Sequence, residues 1–196
     1  MIRRLPVLPT ILVLAAVATM IALGIWQLGR MDEKAALIVQ YEGALESGEP
    51  QPFPSDDGGA FSDDDFFHPT AFECVEVLSR QAVAGRSKRG QTGFAHIARC
   101  RTGRGPADVL LGFSRDPAFP DYDGGSVEGL IVRGGEDGAR VQMDEPIPGL
   151  QPLARPDPSD LPNNHLAYAG QWFFFALTAL VIYGLALRTR LRGKTR

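Results

Sequence analysis

Acidic residues are missing from both ends of this 196-residue chain, because all 23 Asp and Glu lie between Asp32 and Asp160. The two tips are purely basic, with Arg3 and Arg4 at the front and Arg188, Arg190, Arg192, Lys194 and Arg196 at the back. From Arg30 to Asp160, 13 Lys and Arg face those 23 carboxylates, a balance of −10. Cysteine is scarce: Cys74 and Cys100 are the whole supply, and without a Cys-x-x-Cys pair neither a zinc ribbon nor a thioredoxin-like motif is available. With three histidines in the chain, His96 has no second histidine close by in sequence to complete a metal site. No Ser-His-Asp set, paired carboxylates or phosphate-binding glycine loop occurs in a recognisable context, so the expectation is a protein that is not an enzyme. The one basic turn, Gly85-Arg86-Ser87-Lys88-Arg89-Gly90, sits in an acidic middle without interleaved aromatics, which argues against nucleic acid as a partner.

Long uncharged runs are what the sequence does have. Leu5 to Trp26 is one, and Leu166 to Leu187 is another of the same 22-residue length. Each is about 33 Å as a helix, enough for a hydrocarbon core of about 30 Å. Tyr168, Trp172 and Tyr183 stand near the ends of the second run, where amphipathic rings favour the bilayer interface. A cleavable signal peptide is the rival reading of the first run, but an apolar stretch this long, continuing unbroken to Trp26, suits an anchor better. Short basic flanks stay inside, so both termini are expected in the cytoplasm and the acidic middle outside it.

The middle begins with Asp32–Leu45, whose apolar residues have helical spacing. Residues 46–65 are rich in Pro, Gly, Ser and Asp and are expected to form a mobile acidic loop. The carboxylates of Asp56, Asp57, Asp63, Asp64 and Asp65 lack the alternation of a calcium loop and read as solvated. Four strands are expected, at Ala71–Leu78, Phe94–Arg101, Ala107–Phe113 and Val127–Arg133, separated by glycine-rich turns. Their order is open between a small sheet and a partly closed barrel. Residues 144–162 contain six prolines and should be an extended linker back to the bilayer. The architecture expected is a membrane protein with two transmembrane α-helices flanking a small, mainly antiparallel β extracytoplasmic domain. Its divisions are a cytoplasmic N-terminus at 1–4, a first transmembrane helix at 5–28, a periplasmic domain at 29–163, a second transmembrane helix at 164–187 and a basic cytoplasmic tail at 188–196.

Three groups of residues are candidates for chemistry. Cys74 and Cys100 could form a disulfide in an oxidising compartment or stay as separate thiols, a choice that sequence leaves open. His96 and Cys100, four apart on one expected strand, would share a face and allow a metal or redox site only if Cys74 joined them. His165 stands at the outer edge of the second span, just after Asn163 and Asn164, either of which suits the helix N-cap. The positive end of a helix dipole disfavours imidazolium there and favours the neutral, ligating form. At 100° per residue His165, Tyr168, Trp172 and Phe175 fall on one face, an aromatic wall that could hold a flat apolar cofactor; a capping or interfacial histidine is the plainer alternative.

Leu23-Gly24-Ile25-Trp26-Gln27-Leu28-Gly29-Arg30 resembles the first-span signature of the Surfeit-locus-1 family, and Asn163-Asn164-His165-Leu166-Ala167-Tyr168-Ala169-Gly170-Gln171-Trp172-Phe173 resembles its second. Gly90-Gln91-Thr92-Gly93-Phe94 is similar to the family's mid-domain Gly-x-x-Gly-aromatic turn. One departure is Glu33-Lys34, where the family usually has Trp-Lys. The resemblance implies a membrane-bound assembly factor for haem aa3-type cytochrome c oxidase in the bacterial inner membrane. It would bind haem a transiently, with His165 as an axial ligand of the haem iron, and assist delivery to the catalytic subunit; the haem a synthesis machinery is a further conceivable partner. The hairpin topology adds Trp26, Tyr168 and Trp172 as stacking surfaces and Arg30 as a propionate partner, because both span ends must reach the same outer interface. A scaffold that steadies an oxidase subunit and never touches haem is the alternative.

Overall fold

Pro6 and Pro9 bracket the start of the first apolar run, and a first helical turn is the place where proline costs no hydrogen bond. In a computed structural model, which describes residues 6–53 and 61–192, helix α1 accordingly begins at Val7. It runs unbroken over Val7–Ser47, 41 residues or about 61 Å. The separate short helix expected at Asp32–Leu45 is thus the continuation of the span, since the lone Gly29 between them is a tolerated weakness rather than a stop. Gly48 ends the helix in the left-handed conformation at φ 59°, its N–H donating to Ala44 O at 3.3 Å. Helix α2 covers His165–Arg192.

The chain divides into two compact units. The first, residues 1–36 with 161–196, is an antiparallel pair made by α2 and the greater part of α1. Small side chains let the helices approach closely: Ala169 and Ala176 are almost fully buried, as are Val17 and Gly24, each pair seven residues apart. A Cβ on Gly24 would lie 2.5 Å from the Phe173 ring. The Thr10 and Tyr183 hydroxyls are hydrogen-bonded at one end of the pair, and Asn163 Nδ2 donates to Met31 O at 3.3 Å at the other. Outward faces carry Ile11, Leu12, Ile21, Ile25, Phe174, Leu177, Val181 and Ile182, all exposed. Both helices are long and apolar enough to cross a membrane.

The second unit, residues 37–160, is a sheet. Among the described residues it has six strands: β1 Pro69–Cys74, β2 Glu76–Arg86, β3 Thr92–Thr102, β4 Gly105–Ser114, β5 Gly125–Arg133 and β6 Ala139–Met143. Their order is β1-β5-β6-β4-β3-β2, antiparallel throughout except for the β4/β6 pair. The expected strand at Ala71–Leu78 is really two, because the chain turns at Val75. In a flat sheet β1 and β3 would stand four strand spacings, about 19 Å, apart. Instead Cys74 and Cys100 are joined by a disulfide with their Cα atoms 5.2 Å apart, and Val75 N–H donates to Arg101 O at 2.9 Å. The sheet therefore curls until its first strand meets its fifth in spatial order. Inside lie Val109, Leu111, Phe113, Val127, Ile131 and Val141, each at most 1% exposed.

The mid-domain glycine turn has a packing reason. Gly90 sits at φ 76°, and a Cβ on Gly93 would stand 2.6 Å from Ser114 O and 2.7 Å from the Phe113 ring. Any larger residue at Gly93 pushes β3 off β4 at the core phenylalanine, with overpacking of this kind costing about 1–3 kcal/mol.

Two stretches expected as loose are more tied down than their composition suggested. At the near side of 46–65, Phe53 is 2% exposed and stacks on Phe61 and Phe72 at 5.1 and 6.0 Å. At its far side Asp63 accepts from Arg133, which also donates through Nη2 to the fully buried Tyr41 OH at 2.6 Å. Phe53 supplies apolar burial that a mean over the loop conceals, and Phe66 and Phe67, buried just beyond it, add to the same packing. Residues 54–60, including Asp56 and Asp57, lie outside the described residues, as do 1–5 and 193–196. The proline-rich segment 144–162 is extended, and it is also stitched to the sheet: Phe113 and Gln151 exchange two backbone bonds of 2.8 Å, and Ile147 is buried.

Candidate functional site

Asn164 O accepts the N–H of Tyr168 at 3.3 Å, so the asparagine pair does begin α2 and His165 is its first helical residue. His165, Ala169, Trp172 and Ala176 follow one another at spacings of four and three, the seam along which α2 meets α1. Opposite His165, Gln27 and Met31 stand one turn apart on α1. Gln27 Oε1 lies 2.7 Å from His165 Nδ1. An amide oxygen only accepts, so Nδ1–H is the donor in this pair, and in the neutral ring the lone pair then lies on Nε2.

The other expected site residues are arranged less closely. Trp172 is half-buried and meets Phe175 edge-on, centroids 6.3 Å apart. Trp26 and Tyr168 are 57% and 52% exposed. Arg30 is engaged by Glu33, the residue that stands where the resemblance would have put tryptophan. Gln27 was missed as a site residue although it lies in the same motif. Its signal is chemical: a lone amide at the end of an apolar span needs a partner, and the hairpin leaves the first turn of α2 to provide one.

The second candidate group does not converge on a reactive site. Both sulfurs are spent in the disulfide. His96, wholly buried on β3, pairs through Nε2 with Ser114 Oγ at 2.9 Å. That hydroxyl already donates to Asp116 O, so Nε2–H is the donor toward Ser114 and cannot act as its base. Among the described residues no three His, Cys, Asp or Glu cluster as a metal site would require.

Burial holds the His96 imidazolium disfavoured and its pKa below the ordinary 6.5, against the opposing pull of Asp116. Its Nδ1 has no partner among the described residues. Above pH 6.5 folded and unfolded chains are both neutral at this site and it adds no pH dependence. Below 6.5 the unfolded chain takes up a proton that the folded one refuses, so stability should fall on acidification, by at most about 1.4 kcal/mol per pH unit. Urea midpoints at pH 7.5 and 5.5 measure this, and His96→Phe should flatten the difference. An equal slope in the variant would sink the assignment to His96.

The sequence profile of the SURF1 family matches residues 14–177, more than four-fifths of the chain. The chain belongs to the SURF1 family. The match spans the Gln27 end of α1, the whole sheet and the His165 end of α2, so the SURF1 family likeness covers both partners of the interhelical hydrogen bond. The SURF1 family is associated with cytochrome oxidase assembly. No curated protein gives a significant match to the chain.

Proposed function

We propose that this protein is a non-enzymatic, membrane-bound assembly factor for haem aa3-type cytochrome c oxidase, holding haem a transiently and assisting its delivery to the catalytic subunit. The observation that carries the reading is the His165–Gln27 bond, which leaves Nε2 as a free imidazole donor at the mouth of a helix pair. An imidazole nitrogen left open beside that bond, with no carboxylate hydrogen-bonded to the ring among the described residues, is a donor that suits haem iron and not a hard cation. Bound haem would supply the iron for that bond and two propionates. Trp172 offers a stacking surface, and Trp26 and Tyr168, being exposed, are free to supply others. Arg30 can serve a propionate because its present pair with Glu33 is exposed on both sides, and such a pair is worth only about 0.2–1 kcal/mol.

Two apolar helices with uncovered outer faces support insertion in the bacterial inner membrane. The Cys74–Cys100 disulfide supports an oxidising, periplasmic compartment for the sheet, in agreement with the basic flanks. Reporter fusions check this orientation: one near residue 120 should report export and one at the C-terminus should not. The reverse pattern defeats the topology. For the function itself, the full chain purified in mild detergent from cells that make haem a should carry a haem a absorption spectrum. A spectrum without haem would leave the scaffold reading as the better one.

A further inference from the structure

We propose that Gln27 is the positioning residue of the haem site, fixing both the tautomer and the ring angle of His165, an inference that rests on the haem-binding reading above. An imidazole at the first residue of a helix has little around it to set its rotation or choose which nitrogen bears the proton. Here both are set from α1. Gln27 Oε1, at 2.7 Å, accepts from Nδ1 and so assigns the lone pair to Nε2. The start of α2 is held independently one turn farther along α1, where Asn163 Nδ2 donates to Met31 O at 3.3 Å. Two interhelical bonds thus hold the start of α2, one through the Asn163 side-chain amide and one through the His165 ring. Gln27 is itself half-buried in the helix seam, with a shorter and stiffer reach than a solvent-borne partner would have. A ligating histidine whose second nitrogen donates to an oxygen acceptor is held in orientation and made more basic toward the metal.

The role differs from that of a packing residue because it depends on an acceptor at one atom. Gln27→Glu preserves the acceptor and strengthens it; Gln27→Leu removes it at similar volume. Full-length wild type, both variants and His165→Ala are purified in detergent and titrated with haem a, with dissociation constants read from the Soret band and midpoint potentials from redox titration. Gln27→Leu should bind about 10–100-fold more weakly, the usual penalty for losing an outer-shell partner of a ligand. Gln27→Glu should bind within a factor of about three of wild type and show a lower midpoint potential, since a carboxylate pulling on Nδ1–H stabilises the ferric state. A purely structural glutamine would leave the potential unmoved. If Gln27→Leu matches wild type in affinity and potential, the positioning role is refuted while the haem site stands. If Gln27→Glu is as weak as Gln27→Leu, the amide is a donor and the tautomer assignment is overturned. Should wild type itself bind no haem, the functional reading falls and this inference with it.

Discussion

Replacing His165 by alanine is expected to abolish haem a co-purification while protein abundance stays near normal. What the substitution removes from the fold is one hydrogen bond to Gln27, worth about 0.5–1.5 kcal/mol, at a half-buried position. The helix pair retains its close contacts at Val17, Gly24, Ala169 and Ala176 and its second tie from Asn163 to Met31. For haem, by contrast, the loss is the iron ligand itself. Aromatic contacts from Trp172 and a charge from Arg30 offer stacking and a propionate partner, but neither replaces an axial bond. The measurement is haem a per molecule of purified protein, with an immunoblot of whole membranes as the control for abundance. Full haem content in the variant would end the ligand assignment and favour the scaffold.

Why some of this was legible in sequence and some not follows from range. The apolar runs and the histidine at the head of the second are local signals, each contained in a few turns of chain, and the two long helices with a mainly antiparallel sheet between them are what the structure shows. Boundaries that depend on distant contacts were not readable. Residues 71–78 contain no Gly, Pro, Asn or Asp to mark a break at Val75, and nothing local announces that β1 stops at Cys74 to pair with β5 while β2 starts at Glu76 to pair with β3. Strand β2 continues to Arg86 through polar Ser79, Arg80 and Gln81 because it lies at the sheet edge, where a strand needs little apolar content. Strand β6 is five residues long and gains its place by pairing antiparallel with β5 over its whole length and parallel with β4 at Val141 and Gln142, which its own short sequence does not signal. Within 46–65 the average is polar, yet Phe53 buries itself against Phe72 on β1, a contact that composition does not show. At the site, His165 stood out by its surroundings, while Gln27 acquires meaning only once the two helices are paired.

The same contrast bears on the cysteines, whose spacing carries no redox or metal motif and which are therefore dispensable to the chemistry proposed here. They are not dispensable to the fold. Cys74 on β1 and Cys100 on β3 close a loop with a sequence separation of 26 residues. Freeing a loop of that length returns about 3–4 kcal/mol of chain entropy to the unfolded state. Both residues are at most 2% exposed, so a Cys74→Ala/Cys100→Ala double variant also leaves a small void where the sulfurs packed. Strand β1 remains hydrogen-bonded to β5, which means the sheet should still form. Its curl should loosen first at the junction, where Val75 N–H reaches Arg101 O. The double variant is therefore expected to unfold on the order of 10 °C below wild type. Amide exchange at Val75 should accelerate well before that temperature, while haem a bound per folded molecule stays at the wild-type level. A midpoint within about 2 °C of wild type would mean that the ladder alone fixes the curl. Loss of haem from molecules that remain folded would instead tie the disulfide to the site, and the cysteines would then serve the chemistry as well as the fold.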